Sequence, residues 1–178
     1  YQTEAGEYQN WNGMDPYNVN PYWDINKNKN QSYKDLFRMN GKIVYNIIPQ
    51  LKIQATVGAE LNRFEFSDFK YPTTPGFEAG RLQNSYFNNR MLNAELLGIY
   101  TDTWGDFDFT ATAGANIYNV HNKTVINTGT DMGIREVVAM SSFEDQSVEE
   151  NTYNKRIVSV FASANLGWRH MLYLDATV

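Results

Sequence analysis

Six stretches of this chain alternate side-chain character with a period of two, and one of the two phases never carries a charge. In the first, Phe37, Met39, Gly41, Ile43, Tyr45 and Ile47 alternate with Arg38, Asn40, Lys42, Val44 and Asn46. The next sets Leu51, Ile53, Ala55, Val57, Ala59 and Leu61 against Lys52, Gln54, Thr56, Gly58, Glu60 and Asn62. Leu92, Ala94, Leu96, Gly98 and Tyr100 then share a phase, followed by Phe107, Phe109, Ala111, Ala113, Ala115 and Ile117. Val158, Val160, Ala162, Ala164, Leu166 and Trp168 form the fifth, and Leu172, Leu174, Ala176 and Val178 the sixth. Alternation of this kind is the signature of strands, because successive side chains leave a strand on opposite faces. A helix would need apolar residues three and four apart. The one stretch with some helical character is Met132–Ser141.

The punctuation between these stretches predicts hairpins. Pro49 cannot donate to a ladder and suits a turn after Ile48. Asp102, Gly105 and Asp106 mark a second short turn, and Arg169-His170 a third. Longer connections lie at 65–89, with Pro72, Pro75, Gly76 and Gly80, and at 121–154. The expected organisation is an opening loop at 1–33, rich in Gly, Asn, Tyr and Trp, followed by a hairpin at 34–64. A loop at 65–89, a hairpin at 90–120, a loop at 121–154 and an incomplete hairpin at 155–178 complete it.

Two architectures accept such strands. A soluble β-sandwich would bury the apolar phase against a second sheet, and its loop aromatics would make it a carbohydrate-binding module. A transmembrane barrel would turn the same phase to lipid. Soluble strands usually run to about 5–6 residues, whereas a tilted strand crossing a bilayer takes about 9–11. The complete segments here run from nine to twelve residues. Short turns alternate with long loops, as on the two rims of an outer-membrane barrel. Tyr45, Tyr100, Phe107 and Trp168 lie on the apolar phase near the short-turn ends, where an interfacial aromatic girdle belongs. The barrel is therefore the expected fold: an all-β, antiparallel, up-and-down transmembrane sheet. Six strands fall short of the roughly eight of the smallest bacterial barrels, so the chain is expected to be an arc of a larger one. Its opening on Tyr1 fits an internal fragment.

The run Asn20-Pro21-Tyr22-Trp23, with Phe37-Arg38-Met39-Asn40-Gly41 opening a strand, resembles the SusC/RagA family of TonB-dependent outer-membrane transporters. Ser159-Val160-Phe161-Ala162-Ser163-Ala164-Asn165-Leu166-Gly167-Trp168, then Leu172-Tyr173-Leu174-Asp175-Ala176-Thr177-Val178, resembles it still more closely. The resemblance is specific at the two ends and loose across 65–89 and 121–154. It implies a barrel of about 22 strands closed by an N-terminal plug. It also implies import of oligosaccharides or peptides across the outer membrane of a Gram-negative cell. The implied partners are a SusD-like surface lipoprotein as lid, and the TonB complex through a plug and TonB box outside these residues.

Other chemistries find little support. The net charge of −5 and pI near 5.0 give no clustered basic face for nucleic acid. With no cysteine, disulfides and thiolate chemistry are excluded. His121 and His170 fall at opposite ends of the strands and cannot share a site, and the carboxylate pairs Asp106/Asp108, Glu144/Asp145 and Glu149/Glu150 read as solvated loop groups. Asp24-Ile25-Asn26-Lys27-Asn28, with Asp35, faintly echoes a calcium loop, but Lys29 stands where the turn needs Gly. No enzyme activity, metal or cofactor is expected. Arg38, Lys42, Lys52, Glu60, Glu95 and Asp108 are expected to face the lumen or a plug. The candidate substrate- or lid-binding residues are the loop aromatics Trp11, Tyr17, Tyr22, Trp23, Tyr71, Phe77 and Tyr86. Large rings give contact area at low entropic cost, and neighbouring Asn and Asp side chains suit hydroxyls.

Overall fold

The computed structural model describes residues 2, 4, 6–9, 17–135 and 137–178; Trp11 lies outside them. Six strands form one sheet in sequence order: β1 (Lys29–Ile48), β2 (Leu51–Lys70), β3 (Arg81–Trp104), β4 (Phe107–Met132), β5 (Phe143–Trp168) and β6 (Leu172–Thr177). One helix, α1 (Pro21–Lys27), precedes them, and a single 3-10 turn covers Met140–Ser142. No helix among the described residues is long and apolar enough to cross a membrane.

All six expected strands are present, and five are longer than the alternation alone indicates. β2 runs on to Lys70 and β3 starts at Arg81, so most of 65–89 is ladder; likewise β4 reaches Met132 and β5 starts at Phe143. Beyond the apolar segments both phases turn polar. The contrast that betrays a strand fades there while the hydrogen-bonded ladder continues. The helical character read at Met132–Ser141 is not realised: Met132 ends β4, and only the 3-10 turn remains.

The chain divides into two compact units. One comprises Leu36–Leu61, Asn89–Asn122 and Tyr153–Val178. Its apolar phase is not covered: Ile43 is 71% exposed, Val160 80% and Leu174 68%. A sandwich would have packed a second sheet over these side chains, yet the described strands make one sheet only. The soluble-sandwich alternative is therefore corrected. The other phase is polar and internally paired. Arg38 Nε donates to Glu60 Oε2 at 2.6 Å, Asn116 Nδ2 to Asn93 Oδ1 at 2.8 Å, and Asn165 to Asp175. β5 and β6 pair antiparallel with Ala164 opposite Ala176 and Trp168 opposite Leu172. Three residues connect them, and Met171 N closes the turn on Trp168 O at 2.9 Å; Arg169 (φ 50°) and His170 (φ 57°) are both left-handed. Neither is glycine, so each costs roughly 1–2 kcal/mol. Contacts to the neighbouring β3–β4 turn offset that cost. Arg169 N donates to Asp106 O at 2.8 Å, its guanidinium reaches Asp106 Oδ2, and His170 Nδ1 lies 3.3 Å from Asp108 Oδ2.

The second unit comprises Tyr1–Asp35, Asn62–Asn88 and Lys123–Thr152. It holds the buried apolar cluster: Phe69, Leu82, Met132 and Phe143, with Tyr71 and Met140 against it. Gly129 lets Phe143 and Met140 approach the β4 backbone, since a Cβ there would stand 2.8 Å from the Phe143 ring.

Candidate functional site

The loop aromatics gather in the second unit, around α1 and the connection 71–80. α1 starts where the sequence can cap it. The Asn20 side chain accepts from Tyr22 N at 2.9 Å, Pro21 occupies the first turn where its missing N–H costs nothing, and Asp24 faces the positive helix end. A seven-residue helix is marginal by itself, so tertiary contacts must hold it. Trp23 supplies the main one. It is wholly buried, its indole N–H donates to Thr74 Oγ1 at 2.9 Å, and Tyr71 meets it edge-on at 5.8 Å. Asn28 finishes the clasp: its Oδ1 accepts from Tyr71 N at 2.8 Å and Thr74 Oγ1 at 3.1 Å, while its Nδ2 donates to Asp24 Oδ1 at 2.7 Å. Lys27 caps both rings, with Nζ 4.7 Å from the Tyr71 centroid and 5.7 Å from that of Trp23.

This geometry sorts the six aromatic candidates among the described residues. Trp23 has no face to offer a ligand, and its assignment as a binding residue is corrected: it is the packing anchor of α1. Tyr71 is engaged by Trp23, Phe69 and Lys27. Phe77 is half-buried beneath the Arg81 guanidinium at 4.7 Å, and that guanidinium is bound to Asp68 at 2.6 Å. Tyr17 and Tyr22 present open rings, 89% and 67% exposed. Asp24 and Asn26 lie in α1 rather than in a loop, so the echo of a calcium loop is not realised. Among the described residues no group of three or more metal-ligating side chains converges.

Tyr86 belongs to a feature absent from the sequence reading. Gln31, Ser32 and Tyr33 of β1, Glu65, Phe66 and Ser67 of β2, and Asn84 and Tyr86 of β3 line a polar groove of about 470 Å³. Ser67 Oγ donates to Asn84 Oδ1 at 2.8 Å across its floor. The Tyr33 hydroxyl is held above its usual range, first by its hydrogen bond to Asp35 and then by that carboxylate's charge. It therefore stays a donor well into alkaline solution. The signal in the sequence was weak: only the strand continuation below Phe37 and above Leu61 would have placed these residues side by side.

The first unit presents a different surface. Its distinguishing property is the exposed apolar phase, uncharged between its two ends, with aromatic rings at the short-turn end. Trp104 stacks on Phe109 at 5.4 Å and Tyr100 lies 6.3 Å from Phe109. The two histidines sit apart, as expected: His121 Nδ1 is 2.5 Å from Asn154 Oδ1 in mid-strand, and His170 occupies the β5–β6 turn.

Solved structures contain the same arrangement of strands. The chain aligns over 88% of its length with the RagAB peptide transporter, at a TM-score of 0.80 and 16% identity. It has the fold of a transporter-barrel arc. The RagAB peptide importer in its closed-closed state gives the same TM-score, and in its open-open state 0.77. The arc spans 18% of the length of each of those chains. These neighbours are transporters rather than enzymes. No family model and no curated protein matches the sequence. The likeness to SusC/RagA barrels thus stands at the level of fold.

Proposed function

We propose that the chain is part of the wall of a TonB-dependent, SusC-like outer-membrane transporter that takes up nutrient oligosaccharides or peptides. The observation that carries this reading is the single up-and-down sheet whose apolar phase, uncharged across its middle, is exposed. Left in water, that surface would cost about 25 cal/mol for each Å² not removed from solvent. A bilayer removes it without a second protein layer. The fold shared with the RagAB peptide transporter supports the same conclusion.

Within that wall the apolar phase faces lipid, and the polar phase, with Arg38, Glu60, Asn93, Asn116, Asn165 and Asp175, faces the lumen or a plug. The unit with α1 and the groove stands on the extracellular side. There Tyr17 and Tyr22, with Tyr86 at the groove, contact substrate or a SusD-like lipoprotein lid. Tyr71 and Phe77 shape the same surface through their cationic partners. Coupling to the TonB complex would run through a plug elsewhere in the longer protein. The barrel arc by itself transports nothing.

The test is the state of the protein in its own cells. Its intact mass and its partition between detergent and aqueous phases decide the matter. A mass of several times 20.5 kDa that follows detergent supports the transporter wall. A 20.5 kDa species that stays in the aqueous phase overturns it.

A further inference from the structure

We propose that Arg90, His121 and Arg156 form a binding site for the phosphate of an anionic lipid headgroup on the lipid-facing side of the sheet. The inference rests on the membrane reading above and adds a ligand to it. All three residues belong to one unit, and all three continue the apolar phase of their strands: Arg90 precedes Leu92 and Leu96 on β3, His121 follows Ile117 on β4, and Arg156 precedes Val158 and Val160 on β5. In a strand with a period of two they therefore leave the same face as those apolar side chains.

Their heights along the strands agree as well. Gly98 of β3 packs against the backbone of Ala113 of β4. Eight residues back from Gly98 is Arg90, and eight residues on from Ala113 is His121, which brings the two level on neighbouring antiparallel strands. His121 meets Asn154 of β5 at 2.5 Å, and Arg156 lies one same-face step from Asn154, toward the apolar band. Adjacent strands are about 4.8 Å apart, so the three side chains fall within roughly 10 Å laterally, less than the reach of two extended arginines.

Charge selects the ligand. Along this unit's lipid-facing phase, every ionisable side chain at the long-loop end is one of these three bases. At the short-turn end the charged group is the carboxylate of Asp102, already bonded to the Tyr100 hydroxyl and the Trp104 indole. Arg90 and Arg156 are exposed, and neither forms an ion pair among the described residues. Two guanidinium groups without a carboxylate, on a face that lipid covers just below, lack a counter-charge that the protein does not provide. A phosphate at headgroup height supplies it, with the bidentate geometry that guanidinium favours.

The test uses the full-length protein purified from membranes in neutral detergent. Bisphosphorylated lipid A or phosphatidylcholine is added, and bound lipid is counted by native mass spectrometry. R90Q/R156Q is expected to hold lipid A roughly tenfold more weakly than the unaltered protein, with phosphatidylcholine retention unchanged. The control K42Q, on the polar phase, removes the same kind of charge and should retain lipid A fully. Equal retention by R90Q/R156Q overturns the proposal, as does an equal loss in K42Q, which would show a net-charge effect. A response to inorganic phosphate as large as that to lipid A would also overturn the lipid source. If the double variant fails to assemble, R90Q and R156Q singly decide the matter, each expected to show a partial loss. Failure of the membrane reading is distinct, because the unaltered protein would then leave the detergent phase and bind neither lipid.

Discussion

Asn28 joins α1 to the 71–80 connection through one amide, which meets Asp24, Tyr71 and Thr74. Asn28→Ala leaves the Tyr71 N–H and the Asp24 carboxylate without these partners, and an unmet buried donor costs about 1–3 kcal/mol. Hydrogen exchange in the full-length protein should then quicken about fivefold or more at Tyr71 and across Tyr22–Lys27. Unchanged protection there would show that the clasp does not depend on Asn28. Gly80 is a second position where one atom matters. Its φ is +77°, and a Cβ would meet Pro72 Cδ and Cγ at 3.0 Å and Met132 Cβ at 3.3 Å. Gly80→Ala combines left-handed strain with overpacking, a loss of about 2 kcal/mol or more. A lower thermal midpoint in detergent would register it, while Gly76→Ala, with open space around its Cβ, should lose only the strain contribution.

At the level of elements, the short β3–β4 turn responds to pH in a definite direction. The Tyr100 hydroxyl first, and the Trp104 indole N–H second, hold the Asp102 carboxyl below its ordinary 3.8. The folded turn thus favours the ionised form. Its contribution is complete above the ordinary aspartate range and is lost as pH falls through the lowered folded-state value. Acid titration of tryptophan fluorescence should show a transition below pH 3.8 that Asp102→Asn removes. A transition that survives in the variant would assign it to another group. Elements also mark where the sequence stopped being legible. The alternating cores of β1 to β5 were plain because one phase is apolar and the other polar. Past Phe37 and Leu61 the same phase continues as Gln31, Tyr33 and Asp35, or Arg63, Glu65 and Ser67, and the contrast vanishes although pairing does not. α1 had a readable start in Asn20-Pro21 with Asp24 behind it, but seven residues carry too little periodicity to announce a helix. The burial of Trp23 could not be read at all, because Thr74 lies 51 positions away in the chain.

For the molecule as a whole, the decisive contrast is between neighbours on one strand. Val160 is on the apolar phase and Ser159 on the polar one. Val160→Arg should impair membrane assembly by about 2–4 kcal/mol if its side chain meets the bilayer interior, whereas Ser159→Arg faces water or plug and should be tolerated. The amount of protein assembled in the outer membrane measures both. Equal tolerance would contradict the lipid-facing assignment of the apolar phase. The single up-and-down sheet was legible in the sequence because the same alternation recurs strand after strand. The surface that would meet a lid or a substrate was not, since Tyr17, Tyr22 and Trp23 share composition and neighbourhood while only the first two remain open.

The clasp between α1 and the 71–80 connection also bears on the order of folding. Closing a loop of that length directly is entropically unfavourable, but zipping β1 against β2 from the Pro49 turn carries Asn28 to Tyr71 residue by residue. The clasp is then among the late contacts to form, and its partners meet only if every rung below them is in step. A slip of one residue would turn the lipid-facing phase inward and carry Asn28 past Tyr71. Asn28 and Tyr71 are therefore partners in only one alignment of the two strands, and a shift of a single residue would cost the protein this clasp.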